Sequence, residues 1–94
     1  MSEFLKSADL AYTNLSQREM AAGDNTDLLF FLSYLLGHLS LVSSCDQAED
    51  LDATALTLGM DKSLEAAFAV DRLSDQDKDG IKSLWQEIVA EIRL

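Results

Sequence analysis

Proline is absent from this 94-residue sequence, and there are only four glycines and one cysteine. Because proline lacks a backbone N–H and fixes φ, its absence leaves no position at which a helix is forced to break. The lone Cys45 cannot form an internal disulfide, which excludes the disulfide-rich secreted class. The first six residues have neither the basic start nor the apolar run of a secretion signal. We therefore expect a helical, cytoplasmic protein.

Basic residues are also scarce. Seven Lys and Arg stand against 17 Asp and Glu, giving a net charge of −10, and no Lys or Arg occurs between Arg18 and Lys62. We therefore expect no nucleic-acid partner, because phosphate contacts need a cationic surface. The acidic field suits a basic protein partner. Alternatively, the charge serves solubility alone.

The longest apolar stretch, from Leu28 to Cys45, is interrupted by four serines, a glycine and a histidine. Membrane spans need about 20 mostly apolar residues and carry basic residues on the cytoplasmic side. This stretch lacks that basic flank, so we expect no membrane contact.

A chain of this length, with 48% hydrophobic and 26% charged residues, builds one hydrophobic core, so residues 1–94 are predicted to form a single helical domain. Helical spacing predicts a first helix between the cap Ser2 and the stop Gly23, then helices at Asp27–Ser44 and Leu51–Val70, and a fourth after Ser74. Either Thr26 or Asp27 is expected to cap the second helix. Short connections predict an all-α, up-down-up-down four-helix bundle.

The second helix is apolar around most of its circumference. Such a helix is expected to be buried on several sides, and so to be the central packing element. Gly37 in its interior costs roughly 1 kcal/mol relative to alanine, which predicts that another helix crosses closely at this point.

The third and fourth helices are expected to bury apolar seams. For the third helix, the main seam is predicted to be Leu51, Ala55, Leu58, Ala66 and Ala69, with Leu56, Leu64, Ala67 and Phe68 beside it. For the fourth, the stripe is Ile81, Leu84, Trp85, Ile88, Val89 and Ile92.

The segment Asp75–Gly80 matches the first half of an EF-hand calcium loop, with aspartates at Asp75, Asp77 and Asp79 and glycine at the sixth position. The bidentate glutamate of such a loop would fall at position 86, which is Gln86. The preferred interpretation is a helix capped by Ser74 with acids in its first turn. Calcium binding by these three aspartates is the alternative.

Tyr34 and the single histidine, His38, lie one helical turn apart and can share a face. With Gly37 between them, they are the candidate residues of a small-ligand pocket, where a histidine can act as base or ligand. The alternative is a packed histidine with a satisfied hydrogen bond. Zinc is not favoured, because Cys45 lies about 10 Å farther along the helix axis. No catalytic set and no cofactor are predicted.

The run Ser33-Tyr34-Leu35-Leu36-Gly37-His38-Leu39 resembles the motif Gly-Tyr-Leu-x-Gly-His-Leu of the YfcL-like family of small bacterial proteins, departing from it at Ser33. The resemblance continues through Ser63-Leu64-Glu65, Leu73-Ser74 and Trp85, and covers roughly residues 27–94. It implies a helical fold and adds no activity, cofactor or partner. The family has Leu-Ser-Pro where this chain has Leu73-Ser74-Asp75, so the aspartate run is peculiar to this chain.

Together these features predict a non-enzymatic module that binds another protein or itself, as a homodimer. The expected binding surface is either the acidic surface or the apolar edge of the bundle, and the motivation is the surplus of apolar residues on the second helix together with the net charge. The alternative is a small-ligand or calcium-binding protein that uses the Tyr34 and His38 pocket or the loop from Asp75 to Gly80.

Overall fold

A computed structural model describes residues 2–44 and 50–92. They form four helices: α1 (Glu3–Ala21), α2 (Thr26–Ser43), α3 (Ala53–Val70) and α4 (Asp75–Ile92). No strand occurs in this part of the chain. The all-α class is confirmed, and each helix boundary that was predicted lies within two residues of its prediction. Cys45 and the segment 46–49 lie outside the described residues.

Side chains before the helices accept the N–H groups that helix geometry leaves free. Ser2 Oγ accepts from the amide of Leu5 at 3.1 Å, and Ser74 Oγ accepts from the amide of Asp77 at 3.1 Å. After α1, Gly23 takes a φ of +59°, a left-handed conformation that is cheap for glycine. The predicted start and stop of α1 and the predicted start of α4 are confirmed.

The cap of α2 differs from its prediction. Asn25, and neither Thr26 nor Asp27, precedes the first helical turn, and its Oδ1 accepts from the amide of Leu28 at 3.1 Å. The backbone of Asn25 is extended, which places its side chain over the free amides. Thr26 and Asp27 are already helical.

Polar contacts between α1 and α4 show that these helices are antiparallel. Asn14 donates to Glu91 at 2.7 Å, and one turn later Arg18 contacts Glu87 at 3.3 Å, one turn earlier on α4. Arg18 also pairs with Glu91 at 2.7 Å. The hydrogen bond from Asn14 and the pairing with Arg18 lower the pKa of Glu91. The side-chain contacts between α2 and α3 are antiparallel too.

The starts of α1 and α3 lie at the same end of the molecule, because the amide of Phe4 donates to the carbonyl of Leu51 at 3.3 Å. With α2 antiparallel to α3 and α4 antiparallel to α1, the up-down-up-down arrangement is confirmed.

All four helices contribute to one core. The buried apolar side chains are Phe4, Ala8, Ala11, Leu15, Leu32, Leu35, Leu39, Leu56, Met60, Leu64, Phe68, Ile81, Leu84, Trp85 and Ile88. The stripe predicted for α4 supplies its buried residues. The main seam predicted for α3 is wrong, since Leu58, Ala66 and Ala69 are exposed. The core instead uses Leu56, Leu64 and Phe68, which were predicted beside that seam, together with Met60.

The central packing position predicted for α2 is confirmed, since the other three helices all pack against it, but burial around most of its circumference is not observed. Of its 18 residues, only Leu32, Leu35 and Leu39 are buried. These three share one face of the helix. Although α1, α3 and α4 all pack against α2, they leave the opposite face uncovered.

Gly37 lies on this uncovered face, and none of the other three described helices crosses it. Among residues 2–44 and 50–92, a Cβ built at Gly37 would meet nothing within 4 Å beyond its chain neighbours and the backbone of α2. The close approaches to α2 occur at glycines of the other helices instead. A Cβ at Gly59 would lie 2.8 Å from Cγ1 of Val42, and one at Gly80 would lie 2.6 Å from the ring of Phe31. The crossing predicted at Gly37 is therefore corrected to these two positions.

Candidate functional site

Tyr34 and His38 both bind polar groups on the α3 side of the α2–α3 contact. The hydroxyl of Tyr34 donates to Oδ2 of Asp71 at 2.8 Å, and Nδ1 of His38 lies 2.6 Å from Oγ of Ser63. Asp71 is the C-cap of α3, directly after its last residue, Val70. The two predicted residues are thus brought together, with ring centroids 4.8 Å apart, and they tie α2 to α3 at two successive turns.

The Tyr34 ring lies among other aromatic rings. Its centroid is 5.8 Å from that of Phe68 and 6.0 Å from that of Phe30, in an edge-on arrangement. The pKa of Tyr34 is raised to about 12. Burial is the largest cause, and the hydrogen bond to Asp71 and the negative charge of that carboxylate add to it. The phenol is therefore held in its neutral, donating form.

The partners of these two residues were not predicted. Ser63 belongs to a stretch that carries the family resemblance, yet nothing in the spacing of one helix shows which residue of another helix it meets. Asp71 follows the last residue of α3, a position where an acid is usually solvated. To predict these partners, one would need to know which turn of α2 lies beside which turn of α3.

This arrangement favours a structural role over proton-transfer chemistry. A serine–histidine–aspartate relay would need the carboxylate on the histidine ring, but Asp71 binds Tyr34. His38 is half-buried and uses Nδ1 to hold Ser63. Both polar side chains are thus engaged in joining two helices.

Three surface recesses lie away from the predicted ligand pocket. One of about 310 Å³ lies between α3 and α4, over Leu64 and Trp85, and another of about 210 Å³ continues it beside Val89. α3 and α4 form the one pair of described helices whose backbones do not pack closely, which leaves this furrow. A third recess, of about 250 Å³, lies between α1 and α2. None of the three is lined by Tyr34, Gly37 or His38.

The aspartates of the calcium alternative lie on a helix. Asp75 and Asp77 form the first turn of α4, and Asp79 follows in the same helix. Residues two apart on a helix point about 200° away from each other, so Asp75 and Asp77 diverge, and the EF-hand loop conformation is not adopted. Within residues 2–44 and 50–92, no three His, Cys, Asp or Glu side chains are grouped to hold a metal ion.

The uncovered face of α2 is a strip of exposed residues, which we call the outer strip: Phe30, Ser33, Gly37, Ser40 and Leu41. Leu41 is 72% exposed and Phe30 is 42% exposed. From residue 28 to residue 44 there is no Asp, Glu, Lys or Arg. The outer strip is therefore an uncharged, partly apolar surface in which the small residues lie beside the two large ones.

By length and composition alone, α2 would also suffice to cross a membrane. The same test is passed by core helices of soluble proteins. In this structure one face of α2 packs on three other helices, so its composition is partly explained by the core.

No curated protein and no solved structure matches this chain. A family model described as "YfcL protein" matches residues 11–90. The match begins within α1, earlier than the residues that carry the sequence resemblance, and it takes in Tyr34, His38, Ser63 and Asp71 as well as the outer strip. Because the match spans most of the chain and all four helices, this protein belongs to the YfcL family.

Proposed function

We propose that this chain is a non-enzymatic protein-interaction module that binds its partner on the outer strip of α2. The observation that carries the proposal is an uncharged helix face, with Phe30 and Leu41 exposed, on a molecule with a net charge of −10. Charged residues are depleted at the centres of protein interfaces, where aromatic side chains are enriched.

The core of the bundle does not require this apolar surface. A bundle helix needs one apolar stripe, and Leu32, Leu35 and Leu39 already supply it in α2. Exposing further large apolar side chains on the opposite face adds nothing to folding. Such surface is typical of interaction sites.

Small residues make the outer strip accessible to another backbone. Ser33, Gly37 and Ser40 follow one another at intervals of four and three residues, so they lie on one side of the helix. Phe30 and Leu41 rise beside them. A partner segment can therefore rest on these small residues, beside the ridge that Phe30 and Leu41 form along one edge.

The polar residues of α2 favour the same interpretation. Tyr34 and His38 already bind Asp71 and Ser63, so they stabilise the helix pair that presents the outer strip. In this proposal both residues are structural supports, and neither acts as a base or a ligand.

Site-specific photo-crosslinking in living cells tests the proposal. A benzophenone amino acid replaces Ser40 in the outer strip, and in a matched control it replaces Ser83, an exposed serine of α4. We expect a protein adduct, seen as a band shift and identified by mass spectrometry, from position 40 and none from position 83. Absence of a protein adduct at position 40 would refute the proposal.

A further inference from the structure

We infer that the partner is a second copy of this chain, bound through the outer strips of the two α2 helices in a symmetric antiparallel dimer that crosses near Gly37. The inference rests on the proposed function, and it names the occupant of the same surface. Three features of the described residues support it.

The first feature is charge. In a twofold dimer the same patch meets itself, so any charged group meets its own sign near the axis. With a net charge of −10, most surfaces of this molecule would repel their own copies. The outer strip belongs to a run with no Asp, Glu, Lys or Arg from residue 28 to residue 44, so it can pair with itself without this repulsion.

The second feature is the placement of the two large side chains. Phe30 and Leu41 point in directions only about 20° apart around α2, and they lie on opposite sides of Gly37 along the helix. A twofold axis that lies in the interface and is perpendicular to α2 reverses the direction of the helix, but a side chain on one edge of the interface stays on that edge. It therefore brings Phe30 of one copy beside Leu41 of the other, and this contact occurs twice.

The third feature is the open space at Gly37. Apart from its chain neighbours and the backbone of α2 itself, nothing among the described residues lies within 4 Å of a Cβ built there, so their packing does not require glycine. Glycine in a helix interior is nevertheless unfavourable. In the dimer the two α2 backbones approach at this position, with Ser33 and Ser40 on either side, and this approach requires a residue without a side chain.

A lipid surface fits these residues less well than a second copy. Helices that lie on membranes carry Lys and Arg beside their apolar face, which attract anionic headgroups. In this chain no Lys or Arg occurs between Arg18 and Lys62. Asp24 lies just before α2, and Asp27 lies in its first turn.

Light scattering coupled to size-exclusion chromatography of the full chain tests the dimer over a concentration series. We expect a mass of twice 10.4 kDa at high concentration. Leu41→Lys and Gly37→Leu should each weaken association at least about tenfold, as expected for central interface residues. Both positions face away from the core, so circular dichroism should show an unchanged helix content.

Leu58→Lys is the matched control, because Leu58 is 56% exposed on α3, away from the outer strip. It should associate like the unmodified chain. An unmodified chain that stays monomeric at every concentration overturns the inference, and so does a dimer that survives Leu41→Lys and Gly37→Leu.

The adducts formed from position 40 separate this inference from the proposed function. An adduct of two copies of this chain supports both. An adduct with a different protein overturns the inference of a homodimer but supports the proposed protein-interaction function. An adduct with lipid alone, or no adduct, overturns both.

Discussion

Three glycines lie inside helices, and each meets a different environment. Gly37 faces open space, whereas Gly59 faces Val42 and Gly80 faces the ring of Phe31. In a helix open to solvent, glycine is less favourable than alanine by about 1 kcal/mol. The three positions therefore separate helix propensity from packing.

We expect Gly37→Ala to raise the free energy of unfolding by about 0.5–1 kcal/mol. Gly80→Ala should lower it by about 1 kcal/mol, because the Phe31 ring must move and this cost exceeds the gain in helix propensity. Urea unfolding at low protein concentration, where association adds no stability, measures both changes. A loss of stability from Gly37→Ala would show that a close contact exists at this position within one chain.

Tyr34 gives a stability change that depends on pH. Its pKa is about 12 in the folded chain, against an ordinary value of 10.0. Below pH 10 the phenol is neutral in both states, so its hydrogen bond to Asp71 contributes fully. As the pH rises toward 12, the unfolded state loses the proton first, and this contribution to stability is lost.

We expect Tyr34→Phe to lower the free energy of unfolding at neutral pH by about 0.5–1.5 kcal/mol, the range for one hydrogen bond. The difference from the unmodified chain should shrink as the pH is raised from 10 toward 12. Chemical denaturation at several pH values measures this difference. Tyr12→Phe, at an exposed tyrosine of α1, is the control and should leave stability unchanged at neutral pH.

At the same scale, the sequence identified one half of each polar pair. Tyr34 and His38 could be placed on one face because they are four residues apart on a single helix. Ser63 and Asp71 could not be assigned to them, because that pairing depends on the axial offset between α2 and α3. The offset is fixed by core packing, such as the approach of Val42 to Gly59.

The four elements differ in how well their buried faces could be predicted, and the polar residues explain why. In α4 the polar and apolar residues alternate with helical period, so only one orientation buries Ile81, Leu84 and Ile88. In α2 the apolar residues point in nearly every direction, so their spacing does not show which face packs on the core. Such a helix predicts burial on all sides, and its uncovered outer strip could not be predicted.

The start of α4 is stabilised by a side-chain cap. Ser74 accepts the amide of Asp77, and the acids of the first turn face the positive end of the helix dipole. We expect Ser74→Ala to lower the free energy of unfolding by about 1 kcal/mol. Thermal unfolding followed by circular dichroism measures the change.

Calcium distinguishes this cap from the metal-loop alternative. Because Asp75 and Asp77 diverge on the helix, added calcium should leave the melting temperature of both the unmodified chain and Ser74→Ala unchanged. A calcium-dependent rise that disappears in Asp75→Asn and Asp77→Asn would contradict the helical arrangement at this site.

For the molecule as a whole, connection length determined most of the architecture. Only residues 22–25 separate α1 from α2, and only residues 71–74 separate α3 from α4. Helices joined so closely run antiparallel, which made the up-down-up-down order predictable. The furrow between α3 and α4 was not predictable in this way, because a short connection fixes the ends of two helices and leaves their separation to side chains such as Trp85.

The net charge of −10 acts on the whole molecule and gives the last prediction. In the proposed dimer the contact itself is uncharged, while the two bodies around it repel each other. Salt should therefore strengthen association, because the screening length falls from about 10 Å at 0.1 M to about 3 Å at 1 M. Sodium chloride is preferred to sulfate for this test, since sulfate strengthens apolar contacts by a separate mechanism.

Sedimentation equilibrium at increasing sodium chloride measures the dissociation constant, which we expect to fall steadily. Leu41→Lys should remain the weaker associator at every salt concentration, because it loses apolar contact area that screening does not restore. An interface built on pairs between acidic and basic residues would behave in the opposite way, since salt weakens attraction between unlike charges. A dissociation constant that rises with salt would therefore place the contact on a charged surface of the molecule and away from the outer strip.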